Sequence, residues 1–495
     1  MKKILFAASE CVPFIKTGGL ADVVGTLPKY LKQRGHDVRI IIPKYRLIDG
    51  AKYNLQALPY KLSVFVGKEQ ENFRIKTCML DGNIPVYFIE NLRYFNRLGV
   101  YGDDSGVGYG DNRERFIFFS KAAIEATKAL MFRPDIIHCH DWHTGLIPAY
   151  LKTTNLNDGF FWNTSTVYTI HNIAFQGSYD AASTVPLAGF SWEDYKSDKL
   201  EFYNTFNYMK AGLAYTDIIS TVSPTYAQEI QGPAGKGMEV VLQTRKKDVY
   251  GILNGIDYSY WNPKDDKNIV ANFSPENYEN KKLCKKYLQE KCGFKQDEKA
   301  FMLGCVSRFD MQKGFDLIMD TIGKLTQYNI QIVILGSGDR YIKDGMLYLQ
   351  SLYPDKLSVS TDYNEPLSHQ IYAGVDAFLM PSKFEPCGLS QIIALAYGTI
   401  PIVNKTGGLA DTIKDFSTYN TKGNGFVFDF YKGEKFIDCV LRAYDIYKND
   451  FLWGEVVKNA FASQYSWINS VQEYEKMYNI AVNRKTAYNI YQKNI

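Results

Sequence analysis

The chain has 495 residues, 46% of them hydrophobic and 22% charged, and a net charge of +4 at neutral pH. This length exceeds one ordinary core and calls for two or three domains, and so small a charge excess argues against a general nucleic-acid binder. No run of about 18 apolar residues is present to span a bilayer, and Glu10 breaks the short apolar run after Lys2-Lys3 that would otherwise mimic a signal peptide.

The run Ile4-Leu5-Phe6-Ala7-Ala8 reads as a buried parallel strand. Leu20, Val23, Val24, Leu27 and Leu31 then mark one face of a helix, Gly35 stops it, and Val38 to Ile42 is the next strand. Between strand and helix stands Lys16-Thr17-Gly18-Gly19-Leu20-Ala21-Asp22. Glycine in such a turn lets backbone approach a ligand, the helix start attracts anions, and Lys16 adds a mobile positive charge. A tight turn with a solvated lysine is the alternative. The same seven residues recur as Lys405 to Asp411 after the apolar strand Ile400 to Val403. That recurrence predicts two similar α/β halves, or one turn solution used twice in a larger sheet.

Tyr60 to Phe88 alternates in short runs and predicts a β-rich insertion. The segment Tyr101 to Gly110 is a glycine-rich loop of the kind that carries function, and a helical pattern starts at Asn112. In Pro134 to His143, three histidines and an aspartate invite a metal reading. Aspartate fourth and tryptophan fifth do not match the H-x-H-x-D-H ligand vectors of metal-dependent hydrolases. A strand ending at Asp141 beside a ligand crevice and purely structural histidines are the other readings. Val167 to Ile170 is a further strand, ending in His171-Asn172, whose donors and acceptors suit hydroxyl recognition.

Asn254-Gly255 ends another strand, and a polar connector follows, so the domain boundary falls near 255. The lysines between Lys281 and Lys291 read as a solvated helical face. Met302 to Val306 opens the second half. Arg308 and Lys313 flank its strand-to-helix turn, where a diphosphate could meet two cations. Gly336-Ser337-Gly338 lacks the rest of a dinucleotide fingerprint. Tyr363 could stack on a base. Ala377 to Met380 leads into Ser382-Lys383-Phe384-Glu385-Pro386-Cys387-Gly388-Leu389-Ser390, a carboxylate beside the start of a long apolar helix. Such a pairing suits a sugar hydroxyl next to a phosphate. The eight cysteines lack CxxC spacing and read as reduced thiols of a cytoplasmic protein. No arginine- and serine-rich transit segment precedes the first strand.

Taken together these residues resemble the glycogen and starch synthases, which build α-1,4-glucan from ADP-glucose. The matching stretches are KTGGL at Lys16, HDWHTGL around Asp141, HNIAFQG at His171, TVSPTYAQEI at Thr221, SRFDMQKGFDL around Arg308, PSKFEPCGLSQ around Glu385 and the second KTGGLAD. They run in order over essentially the whole chain. The resemblance implies an α/β protein of GT-B fold, two Rossmann-like doubly wound domains facing across a deep cleft. The first would span 1–254 on the acceptor side and the second 255–465 on the nucleotide-sugar side. A last helix within 466–495 would cross back to the first.

It further implies a retaining glucosyltransferase that moves glucose from ADP-glucose to the non-reducing 4-OH of an α-1,4-glucan, such as glycogen or a maltooligosaccharide. Front-face attack through an oxocarbenium-like state would dispense with a carboxylate nucleophile. Fixed cations would take the place of a metal, and no cofactor is implied, nor any nucleic-acid or membrane partner. Lys16, Gly18, Gly19, Asp22, Arg308 and Lys313 would serve the diphosphate, with Asn254 and Tyr363 near the nucleoside. Glu385, Cys387, Gly388, Leu389 and Ser390 would hold glucose hydroxyls and phosphates. Tyr101, Asp141, Trp142, His171 and Asn172 would line the glucose and acceptor side. Glu385, His171, Arg308 and Lys313 would form the catalytic set.

Lys383, Phe175, Asn404 and Ala396 depart from the residues usual in that family, the last two bearing on how the second KTGGLAD segment is supported. Competing readings are a catalytically weak glucan-binding or regulatory relative, a metal-dependent hydrolase built on His138, His140 and Asp141, and a phosphorylase-like enzyme carrying pyridoxal phosphate.

Overall fold

A computed structural model describes residues 1–103, 107–362 and 364–493. The chain divides into two units, Met1–Ile252 with Trp467–Ile495, and Leu253–Ser466. Among the described residues, no helix is long and apolar enough to cross a membrane.

The first unit is built on a ten-stranded sheet. Its apolar runs are strands because both sheet faces are covered: Ile4, Leu5, Phe6 and Ala7 are all buried. Lys3–Ala7 lies between Asp37–Pro43 on one side and Ile136–His140 on the other, all parallel. Beyond Ile136–His140 follow Ser165–Ile170, Ile218–Thr221 and Val249–Gly251. Beyond Asp37–Pro43 follow Ile84–Glu90, parallel, and Glu69–Leu80, antiparallel. The alternating stretch between Tyr60 and Phe88 therefore widens this sheet.

The chain leaves the first strand toward one edge and later returns to the other side of it. The C-terminal ends of Lys3–Ala7 and Ile136–His140 thus diverge at a topological switch point, where open α/β sheets bind ligands. The helix Trp467–Lys493 packs on this unit through Trp467, Val471, Tyr474, Tyr478 and Ala481, all buried and spaced for one helical face. Glu475 of that helix meets Arg34 at 2.6 Å and His36 at 2.9 Å.

The second unit repeats the plan with a six-stranded parallel sheet. Phe301–Val306 lies between Ile330–Leu335 and Ala377–Met380. Leu357–Ser360 extends one side, and Ile400–Asn404 with Phe426–Phe428 extends the other. A second switch point therefore sits at the ends of Phe301–Val306 and Ala377–Met380.

Two sequence expectations fail here. The helix that starts at Ser390 is short, covering seven residues to Ala396. Lys281 and Lys285 are buried, not solvated. In the helix Asn280–Lys291 they share the inward stripe with Cys284 and Leu288. Lys281 Nζ donates to the Tyr372, Ala373 and Tyr397 carbonyls at 3.2, 3.0 and 3.2 Å, and to Thr399 Oγ1 at 2.6 Å. Lys285 Nζ binds Asp376 Oδ2 at 2.7 Å and the Ala300 carbonyl at 2.6 Å. The Lys281 amine, lowered to about 7 by its burial, donates to the end of the helix Glu365–Gly374, where carbonyls lack helical partners.

Lys281→Met keeps the aliphatic stem but takes a donor from each of those carbonyls, of which only Tyr372 keeps the Thr399 hydroxyl, and should lower stability by about 2–3 kcal/mol. Lys286→Met, on the exposed face, should stay within roughly 0.5 kcal/mol. Urea denaturation of the full chain measures both, and equal midpoints would contradict the capping role.

Candidate active site

At the first switch point the chain leaves Lys3–Ala7 through Ser9 and Glu10, both buried. The Glu10 carboxylate accepts from the Thr17 backbone N–H, from Thr17 Oγ1 at 2.7 Å, from the Gly18 N–H at 3.1 Å and from the Tyr101 hydroxyl at 2.5 Å. Tyr101 also pairs with Ser9 Oγ at 2.7 Å. One buried charge therefore folds the Lys16–Gly18 loop back onto the strand end. A Cβ added at Gly18 or Gly19 would meet nothing within 4 Å, and Gly18 has an ordinary extended φ of −153°. Nothing in the protein itself demands glycine there, which leaves room for a close-approaching ligand. Lys16 is exposed and pairs with Asp22 at 2.8 Å. Burial raises the Asp22 carboxyl, and the lysine draws it back down.

The neighbouring strand Ile136–His140 ends in Asp141, whose φ of 55° and ψ of −179° lie in a region that side chains rarely adopt. Its Oδ1 accepts the His171 backbone N–H at 2.7 Å. Burial pushes its carboxyl up to about 7, against hydrogen bonds from the His171 and Asn172 backbones. His171 is bonded through Nε2 to His140 Nδ1 at 2.9 Å, and burial lowers its imidazole to about 3, so it stays neutral. His138 joins Tyr478 of the last helix at 2.8 Å and Thr169 at 2.6 Å.

These histidines have partners within the fold, and among the described residues no group of three or more His, Cys, Asp or Glu could hold a metal ion. Asn172 accepts from the Ala174 N–H at 3.0 Å, bracing its own turn. Trp142 is packed, not presented. Its ring lies against Phe116 and His143, and a Cβ at Gly177 would come within 2.4 Å of it. Tyr101 likewise stacks on His143 at 4.5 Å.

At the second switch point the turn after Phe301–Val306 carries Arg308, exposed, and the short helical turn Met311–Lys313. Lys313 Nζ grips both oxygens of Glu385, at 2.7 and 3.0 Å. Ser382 Oγ donates to the same carboxylate at 3.0 Å. Two cross-links hold the turns together: Lys383 N–H to the Gln312 carbonyl at 2.8 Å, and Gln312 Nε2 to the Phe384 carbonyl at 3.1 Å. At Gly314, φ is +78° and a Cβ would stand 2.1 Å from the Pro381 carbonyl oxygen, so only glycine fits.

Cys387 is buried, its thiol pushed up to about 12 by that burial despite a hydrogen bond from the Asn254 backbone. Asn254 Oδ1 is buried without a hydrogen-bond partner, an acceptor that a ligand hydroxyl or amine could satisfy. Gly388 has φ +72°, and Leu389 and Ser390 are half-buried. Tyr363 lies outside the described residues.

The structure thus gathers Lys16, Gly18, Gly19 and Asp22 at one turn, and Asp141, His171 and Asn172 at its neighbour. It gathers Arg308, Lys313, Glu385, Cys387 and Asn254 in the second unit. Sequence reasoning missed the role of Glu10, and it named His140 only as a metal-ligand or structural candidate, not as the partner of His171. A glutamate interrupting an apolar run just before a glycine loop was the available signal for the first.

Residues 3–244 match the family model of the starch synthase catalytic domain, and residues 289–450 that of glycosyl transferases group 1. Glycogen synthase of Geotalea daltonii is 43% identical over 484 residues, spanning 98% of this chain and 99% of its own. That of Thermotoga maritima is 41% identical over 488 residues, spanning 97% and 99%. The structure of the catalytic domain of Starch Synthase IV from Arabidopsis thaliana, bound to ADP and acarbose, matches with TM-score 0.90 at 33% identity, covering 97% of this chain and 99% of that one. Sucrose-phosphate synthase from Thermosynechococcus elongatus, at 15% identity and TM-score 0.61 over 97% and 98%, shares the fold. Two parallel α/β units and these likenesses define a glycosyltransferase of the GT-B class. Within that class, the chain belongs to the glycogen synthase family.

The raised Asp141 carboxyl has a signed consequence for stability. Between its unfolded pKa and about 7 the folded chain holds the proton more tightly, so this group's contribution is fullest at low pH and is lost as pH rises through 7. Asp141→Asn keeps an acceptor for the His171 N–H and removes the titration. Wild type should lose about 2–3 kcal/mol relative to that variant between pH 5 and 8, as read by paired urea titrations. Parallel stability profiles would show that Asp141 stays ionised.

Proposed function

We propose that this protein transfers glucose from ADP-glucose to the non-reducing 4-OH of an α-1,4-glucan, with retention of anomeric configuration. The observation that carries the reading is the grip of Lys313 on both oxygens of Glu385. A carboxylate so neutralised is a poor nucleophile, yet it keeps lone pairs for hexose hydroxyls. Support for a nucleotide sugar and a glucan as substrates comes from the 33%-identical starch synthase, whose structure is described as bound to ADP and acarbose.

In this reading the bond between C1 and the β-phosphate oxygen breaks heterolytically, and its electron pair goes to the departing diphosphate. Lys16, Arg308 and Lys313 neutralise that charge, with the backbone at Gly18 and Gly19 approaching the phosphates, Asp22 holding Lys16, and the turn Cys387–Ser390 adding N–H donors. Fixed cations do here what a metal ion does elsewhere. The oxocarbenium-like sugar is met on the same face by the acceptor 4-OH, whose proton passes to the phosphate oxygen as it leaves. Asp141, His171 and Asn172 orient the hexose and acceptor, and neutral His171 exchanges hydrogen bonds without adding charge. Tyr101 braces the Lys16 loop through Glu10. Asn254 and Tyr363 serve the nucleoside. The unit of residues 1–252 carries the acceptor side with the Lys16 loop, and that of 253–466, Asn254 included, the nucleotide-sugar side.

Glu385→Ala and Lys313→Ala should each lower turnover by about 10²-fold or more with far-UV circular dichroism unchanged. Normal turnover in both would reject the reading. A competition between ADP-glucose and UDP-glucose on soluble glycogen should favour the adenine nucleotide, and equal use would remove the donor assignment.

A further inference from the structure

The heptapeptide Lys-Thr-Gly-Gly-Leu-Ala-Asp occurs at 16–22 and again at 405–411, and its two copies meet opposite surroundings. At Gly18 and Gly19 an added Cβ finds open space. At Gly407, φ is +43° and an added Cβ would lie 2.0 Å from the Glu385 carbonyl oxygen; at Gly408 it would lie 2.1 Å from the Cys387 carbonyl oxygen and 2.5 Å from the Cys387 Cα. Those are backbone atoms, which cannot swing aside as a side-chain tip can.

The hydrogen bonds agree. The Gly408 N–H donates to the Glu385 carbonyl at 3.1 Å and to that of Pro386 at 3.2 Å. Gln391 Nε2 donates to the Cys387 and Gly388 carbonyls at 3.0 and 2.9 Å, and to Thr412 Oγ1 at 3.2 Å. Asn404, just ahead of the repeat, donates to the Ser382 carbonyl at 2.8 Å. Each carbonyl from Glu385 to Gly388 is thus held by Gly408 or by Gln391, which is itself tied to Thr412 directly after the repeat.

We propose that the second copy is a shelf for the Glu385 turn rather than a second anion site, with Gly407, Gly408 and Asn404 as positioning residues. The two glycine pairs are then required for different reasons, the first for a ligand and the second for the backbone carrying Glu385. This inference rests on the reading of Glu385 as the group that holds the hexose. Restoring an ordinary contact of at least 3.4 Å from 2.1 Å at Gly408 moves the turn by more than an ångström, and misplacement on that scale costs on the order of 10²-fold in rate.

The test measures kcat at saturating ADP-glucose and glycogen, together with the Kd of ADP by calorimetry, in the full-length protein. Gly408→Ala should lower kcat by about 10- to 100-fold, while the Kd of ADP, which lacks the hexose but meets the N–H donors of the same turn, rises by a smaller factor. Asn404→Ala, which creates no clash, should lower kcat by roughly 3- to 10-fold with the same ADP affinity. Exposed Lys405→Ala should change neither. General unfolding would instead reduce the number of ADP sites per chain. If Gly408→Ala fails to fold, Asn404→Ala decides, and full kcat there overturns the proposal. ADP binding weakened tenfold in Lys405→Ala would overturn it in favour of an anion site. Full turnover in Glu385→Ala would overturn the shelf together with the reading beneath it.

Discussion

A carboxylate taken out of water at the end of a parallel strand is the constraint on which both units turn. An unpaired buried charge costs several kcal/mol, so the chain around it is obliged to bring compensating donors. Around Glu385 these are the Lys313 ammonium and the Ser382 hydroxyl. Around Glu10 they are two backbone N–H groups, the Thr17 hydroxyl and the Tyr101 phenol. In each case the requirement to satisfy the charge fixes a glycine-bearing loop. The loops that meet ligands in the proposed reaction are therefore held from beneath by electrostatics, not merely by turn propensity.

Sheet topology decides where those carboxylates stand. In both units the first strand lies inside the sheet, with later strands on each side. The turns after Lys3–Ala7 and Ile136–His140 become neighbours, as do those after Phe301–Val306 and Ala377–Met380. Lys313 and Glu385 are 72 residues apart in sequence, yet the pairing of Leu303 with Ala377 and of Gly304 with Phe378 brings their turns together.

Much of this was legible beforehand. Strands that are buried on both faces announce themselves as apolar runs, and strand-to-helix turns rich in glycine and cations point to phosphate. The misreadings share one cause. Lys281 and Lys285 looked solvated because charge is usually outside; their place on the stripe with Cys284 and Leu288 was visible, but the carbonyls they cap come from residues 300 and 372–397. The partners of Trp142 and His138 were equally out of sight: the indole packs on Phe116, and the imidazole spends its two nitrogens on Tyr478 and Thr169.

By itself the amino-acid sequence determined the α/β class and the chemical character of each turn, and its resemblance to a known family supplied the two-domain organisation. The first two follow from local periodicity and residue type, which act over a few neighbours. Tertiary structure alone decided that identical heptapeptides face a void at 18–19 and a backbone wall at 407–408. It alone decided that Glu10 is a clasp, and that a lysine 72 residues distant neutralises Glu385. Burial and contact belong to the space around a residue, and no repeat or spacing encodes that space.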